Sequence, residues 1–208
     1  MNNKSIDINQ RIPLDTLYAG LEAYLNDDYS NEYIIEQLKL EFQGENRLKK
    51  ALRIVNKIII KSPIRPFLDD NKATLKLVIK KKIDRNIVLI ALLNAAFPFS
   101  FDVLKVFGKY FSVQEIINAE TIKKSISSVY GGNRATENGI YSVVPMFIEA
   151  GFFSRPKQGI YEFKESLPIS NKLTYEIYVE SFKLNNKTEN LQDYELLDPY
   201  FNFIVDVE

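Results

Sequence analysis

Residues 112–163 read SVQEIINAETIKKSISSVYGGNRATENGIYSVVPMFIEAGFFSRPKQGIYEF, and the order of elements in this stretch sets the expected architecture. Ser112 is placed to cap a short helix over Val113–Ala119, and Thr121–Tyr130 follows as another. Gly131-Gly132-Asn133 is the clearest turn in the chain. The segment 135–150 then carries Ile140, Val143, Val144, Phe147 and Ile148 at helical spacing. Pro145 sits inside it, removes the hydrogen bond to Tyr141 and is expected to kink or split the helix. Gly151 stops it. Phe152-Phe153-Ser154-Arg155 and Ile160-Tyr161-Glu162-Phe163 flank Pro156-Lys157-Gln158-Gly159, which reads as a β-hairpin with a polar, glycine-bearing loop.

Helix, helix, glycine turn, helix and hairpin is the order of a winged helix-turn-helix. In that arrangement the third helix enters a DNA major groove and the hairpin loop touches the adjacent backbone. Arg134, Thr136, Asn138 and Ser142 are expected to face outward from the third helix, and Arg155, Lys157 and Gln158 to lie at the hairpin tip. The same fold also serves protein contacts, so this unit alone leaves an adaptor role open.

Upstream, Leu14–Asn26 has Leu14, Leu17, Tyr18, Leu21 and Leu25 at helical spacing after Pro13. Ser30 is an N-cap for a helix over Asn31–Phe42. A third helix runs from about Glu45 to Lys61, with Leu48, Leu52, Val55 and Ile59 as its apolar stripe. Residues 30–61 therefore form a second helix-turn-helix candidate. Its second helix carries Arg47, Lys49, Lys50, Arg53 and Lys57, a face suited to neutralising phosphates. The competing reading is that this face pairs with the acidic helix bearing Glu32 and Glu36. Pro66 is expected to hold the next residues extended. A short helix is expected over Lys72–Lys80, a buried one over Asp84–Ala96, and another opening at Ser100 or Asp102 after the Phe97-Pro98-Phe99 interruption. Asn171–Leu184 is helical in pattern. The tail from Thr188 has six acidic residues and no basic one, and its apolar end, Tyr200–Val205, is expected to dock.

Charge is unevenly distributed although the 208-residue chain is neutral overall. Residues 1–46 hold three basic and nine acidic side chains, residues 47–85 thirteen and three, and residues 86–208 eleven and fifteen. The central block is thus strongly basic, and the local field is what a polyanion reads. Lys80-Lys81-Lys82 with Arg85 belongs to this block and is expected to be a solvated helix start. The chain contains no cysteine and no histidine. That excludes disulfides, thiolate metal sites and the Ser-His-Asp triad, and points to a reducing, cytoplasmic setting.

The polar start, Met1–Gln10, lacks the pattern of a signal peptide, and no apolar run approaches the length of a membrane span. Glu162-Phe163-Lys164 matches half of a metal-dependent nuclease motif without a second carboxylate nearby. Asp69-Asp70 reads as a turn or cap, and Gly131-Gly132 lacks the lysine and threonine of a phosphate loop. No cofactor or metal is expected, and no catalytic residue stands out.

The layout resembles the BrxA family of bacterial BREX phage-exclusion systems. The resemblance rests on four segments: Leu17, Tyr18 and Leu21 followed by Asn31–Phe42; Arg47-Leu48-Lys49-Lys50 through Ile60; Ile87–Phe97 with Pro98; and Tyr141–Ala150 running into Gly151-Phe152-Phe153. It spans roughly residues 14–163. It implies a non-enzymatic helical protein with winged-helix character that binds double-stranded DNA beside other defence-system proteins. The expected fold is therefore mainly α, with winged helix-turn-helix character and one short β-hairpin. Three segments are expected: an N-terminal helical unit over 1–66, a winged-helix-like unit over 67–170, and a C-terminal helix and acidic tail over 171–208. The expected role is a DNA-binding accessory protein with no membrane association, and the alternative is a winged-helix interaction adaptor that does not bind DNA.

Overall fold

In a computed structural model of the chain, residues 5–206 are described. Among them the protein is mainly helical: α1 (Leu14–Leu25), α2 (Asn31–Lys39), α3 (Glu45–Ile58), α4 (Arg65–Asp70), α5 (Lys72–Val78), α6 (Lys82–Ala96) and α7 (Pro98–Phe111) come first. Then follow β1 (Ile116–Asn118), α8 (Ala119–Tyr130), α9 (Arg134–Ala150), β2 (Ser154–Lys157), β3 (Ile160–Glu162), β4 (Leu167–Ile169), α10 (Lys172–Asn186) and β5 (Ile204–Asp206). Two 3-10 helices, Asp193–Leu197 and Pro199–Phe203, precede β5. No helix among the described residues is long and apolar enough to cross a membrane.

The caps explain where the helices begin. Ser30 accepts from the Tyr33 N–H at 3.1 Å, and Asn133 accepts from the Thr136 N–H at 3.1 Å, each satisfying a donor that the first turn leaves free. Three proline readings change. Pro66 sits in the first turn of α4, where its missing N–H costs nothing. Pro98 opens α7 for the same reason, so the helix starts there and not at Ser100. Pro145 lies inside α9 and does not split it, since α9 runs from Arg134 to Ala150.

The expected helix over Val113–Ala119 is instead strand β1. Ile116, Ile117 and Asn118 pair antiparallel with Glu162, Tyr161 and Ile160 of β3. The sheet has the order β1-β3-β2. The hairpin turn is tighter than expected: Gln158 and Gly159 make it, with Gly159 at φ +78°, and Arg155, Pro156 and Lys157 belong to β2. A β-bulge lies between Ser154 and Lys157. A second sheet, unexpected from the sequence, pairs β4 with β5 in parallel and ties the C-terminal segment to the body.

Helix α6 is the centre of the fold. Ile87–Ala96 is buried without a break, and α6 packs against α1, α3, α7, α9 and α10. Side chains from residues 1–66, 67–170 and 171–208 all belong to one hydrophobic cluster. A group of rings joins the sheet to α7: Phe107 stacks on Phe153 at 4.3 Å and meets Tyr161 edge-on at 5.0 Å. The C-terminal segment docks as expected, with Tyr200 stacked on Tyr178 at 4.3 Å and its backbone passing over Gly108. A β-carbon at Gly108 would lie 2.0 Å from the Pro199 carbonyl oxygen, so only glycine lets the chain pass.

Candidate nucleic-acid-binding cleft

The two parts of the chain that carried separate site expectations meet at one cleft of about 650 Å³. One wall is the start of α3 and the loop before it, with Arg47, Lys50, Phe42 and Glu41. The other is the outer face of α9, with Asn138, Tyr141 and Ser142. Asn9, Gln10, Arg11 and Pro13 complete the lining.

The basic residues of α3 separate into free and committed ones. Arg47 is exposed, and its guanidinium lies over the Phe42 ring, 5.6 Å from the centroid. Lys50 and Arg53 are exposed, and among the described residues Arg47, Lys50 and Arg53 make no ion pair. Lys49 pairs with Glu45 one turn earlier at 2.5 Å. Lys57 is turned inward: it pairs with Asp7 and lies 4.2 Å from the Phe97 ring centre. Lys57 is thus a tether for the N-terminal segment. None of these five pairs with Glu32 or Glu36. Glu36 pairs with Lys39 on its own helix at 2.6 Å.

On α9 the outward strip differs from the expected one. Arg134 and Asn138 are exposed, as expected. Thr136 is fully buried: its hydroxyl donates to the Gly131 carbonyl at 2.6 Å, and its N–H is taken by the Asn133 cap. Ser142 is also buried, and its hydroxyl donates to the Asn138 carbonyl at 2.7 Å. The third member of the exposed strip is Tyr141, which sequence reasoning missed. Its spacing from Arg134 and Asn138, seven and three residues, is the signal that places it on their face.

Arg155 and Lys157 are exposed on β2 and do not line the cleft. The hairpin nevertheless borders α9: Tyr161 of β3 lines a small pocket together with Ile140 and Tyr141 of α9. Burial raises the Tyr161 phenol above its usual value, and Arg155 opposes that rise. Arg11 is the other member missed. It pairs with Glu149 of α9 at 2.7 Å across most of the chain length, a contact no local pattern reveals.

Other segments singled out in the sequence are held in structural contacts. Lys81 donates to Ser170 at 2.9 Å, and Ser170 and Thr174 donate to the buried Asp84, which anchors the start of α10. Asp69 accepts from Tyr24 and from Arg65. Glu162 pairs with Lys164 at 3.6 Å. Among the described residues no group of three or more acidic side chains is arranged to hold a metal ion.

No protein-family model matches this chain, and no curated protein or solved structure matches it at a significant level.

Proposed function

We propose that the chain binds double-stranded DNA without chemically altering it, as an accessory protein of a bacterial phage-exclusion system of the BREX kind. The DNA-binding part rests on the site. The observation that carries it is the convergence of Arg47 and Lys50, unpaired cations, with the exposed amide of Asn138 in one cleft. Cations of this kind neutralise phosphates, and an amide pairs with base edges. The order α7, β1, α8, α9, β2, β3 and the sheet order β1-β3-β2 support reading this half as a winged helix, with α9 as the recognition element and the hairpin as the wing. Exposed Arg155 and Lys157 on that wing suit a second backbone contact. The defence context rests on the resemblance to the BrxA family.

The test is a gel-shift titration at two salt concentrations. With Arg47, Lys50, Arg53, Arg134, Arg155 and Lys157 as phosphate contacts, affinity should fall about a thousand-fold between 50 and 200 mM salt. Absence of a shift at low salt would overturn the proposal. It would favour the adaptor reading, for which the exposed Ile116 on β1 and Val113 in the loop before it, at the edge of the sheet among the described residues, are the supporting observation.

A further inference from the structure

Tyr141 is 69% exposed on α9, in a cleft lined by three cations, several amides and one carboxylate, Glu41. Among the described residues its hydroxyl makes no hydrogen bond and its ring meets no aromatic partner. Other tyrosines of the chain are used internally: Tyr24 on Asp69, Tyr29 on Asn56, Tyr130 on Asp102, and Tyr178 on the Tyr200 carbonyl. Tyr141 contributes nothing comparable to the core. An aromatic ring fixed on a helix offers a large flat contact surface with little conformational freedom to lose.

The groups around it fit one nucleotide. Asn138 lies one helical turn before Tyr141 and carries a free donor and acceptor for a base edge. Ser142 cannot serve, since its hydroxyl is spent on the Asn138 carbonyl. Arg47, already settled over Phe42, and Lys50 one turn further on supply the cations for a phosphate. The cleft volume of about 650 Å³ lies within the range of small-ligand sites.

A base inside a duplex shows only its edges to a protein. Its flat face reaches a tyrosine ring only when the base leaves the stack, and this costs least for a base that is unpaired or mispaired. We infer that the cleft seats a single unstacked nucleotide, base against Tyr141 and phosphate at Arg47 and Lys50, so that the protein prefers duplex DNA containing an unpaired base over fully paired duplex. This rests on the DNA-binding reading above and narrows the kind of DNA it takes.

The test compares two labelled duplexes by fluorescence anisotropy, one fully paired and one carrying a single extra unpaired thymine. The wild-type protein should bind the second about 5- to 150-fold more tightly, the value of one base–aromatic stack. Tyr141→Ala should bring that ratio to about one, and Tyr141→Phe, which keeps the ring, should retain it. Equal, salt-sensitive binding of both duplexes by the wild type would overturn the inference and leave the DNA reading standing. A ratio that survives Tyr141→Ala would also overturn it. If neither duplex binds at low salt, the inference falls together with the DNA reading.

Discussion

Glu149 holds the start of α1 and Arg11 at once: one carboxylate oxygen accepts from the Leu14 N–H at 2.9 Å and the other pairs with Arg11 at 2.7 Å. Pro13, the residue before α1, has no side chain that can cap. The cap for α1 therefore comes from α9, 135 residues further along the chain. Arg11 and Pro13 line the cleft, so this contact also sets the position of that part of the lining against α9.

Glu149→Ala should destabilise the protein by about 1–2 kcal/mol, the size of a lost cap plus a partly exposed ion pair. Arg11→Ala removes only the ion pair and should cost less than about 1 kcal/mol. Thermal or denaturant melts decide this. Equal losses for the two variants would show that the Leu14 N–H contact contributes nothing.

The unpaired cations of α3 should dominate its DNA contacts. Arg47→Ala with Lys50→Ala should lower the salt slope of binding by about two units and weaken all duplex sequences alike. Lys49→Ala with Lys57→Ala removes the same formal charge from residues already engaged by Glu45 and Asp7, and should change the slope far less. Identical slopes for the two double variants would move the interface away from the start of α3.

What the sequence made legible follows from the range of the forces involved. Helices announce themselves through spacing within a few turns, and α1, α3, α6, α9 and α10 lie close to where their apolar residues put them. Ile116–Asn118 does not: three residues carry no usable periodicity, and they become a strand only because β3 lies alongside. The parallel pairing of β4 with β5 joins segments too distant to be read locally. In the cleft, Arg47, Lys50 and Asn138 were legible as exposed polar residues on helices. Thr136 stands four and seven residues before Ile140 and Val143, so helical spacing places it on their buried face, where its hydroxyl meets the Gly131 carbonyl. Arg11 was invisible because its partner Glu149 is remote.

That Thr136 contact separates folding from recognition. Thr136→Val keeps the shape but leaves the Gly131 carbonyl without its donor, and should cost about 1–2 kcal/mol of stability. It should not alter discrimination among DNA sequences. Asn138→Ala, at an exposed position, should leave stability nearly unchanged and reduce discrimination at one base position. Competition binding with single-base variants of a bound site checks both. A changed site preference in Thr136→Val would mean that its side chain turns outward when DNA binds.

The pH profile of stability should be dominated by tyrosine. The chain has no histidine and no cysteine, so stability should be nearly flat from about pH 6 to 9. Burial raises the phenols of Tyr24 and Tyr200 to about 12, with the Asp69 hydrogen bond adding to the effect at Tyr24. It also raises those of Tyr29, Tyr130 and Tyr178. In the unfolded chain these groups ionise near their ordinary value of about 10. Between those two values the unfolded state releases protons that the folded state keeps, so the unfolded state gains stability as pH rises. The stabilisation from the neutral phenols is thus fully present below pH 10 and is lost as pH rises from about 10 through 12. Urea midpoints measured from pH 6 to 12 should stay level and then fall steeply above pH 10. The absorbance of ionised tyrosine should rise together with unfolding. Phenol ionisation that runs to completion well before unfolding would show that these side chains are not held neutral by the fold.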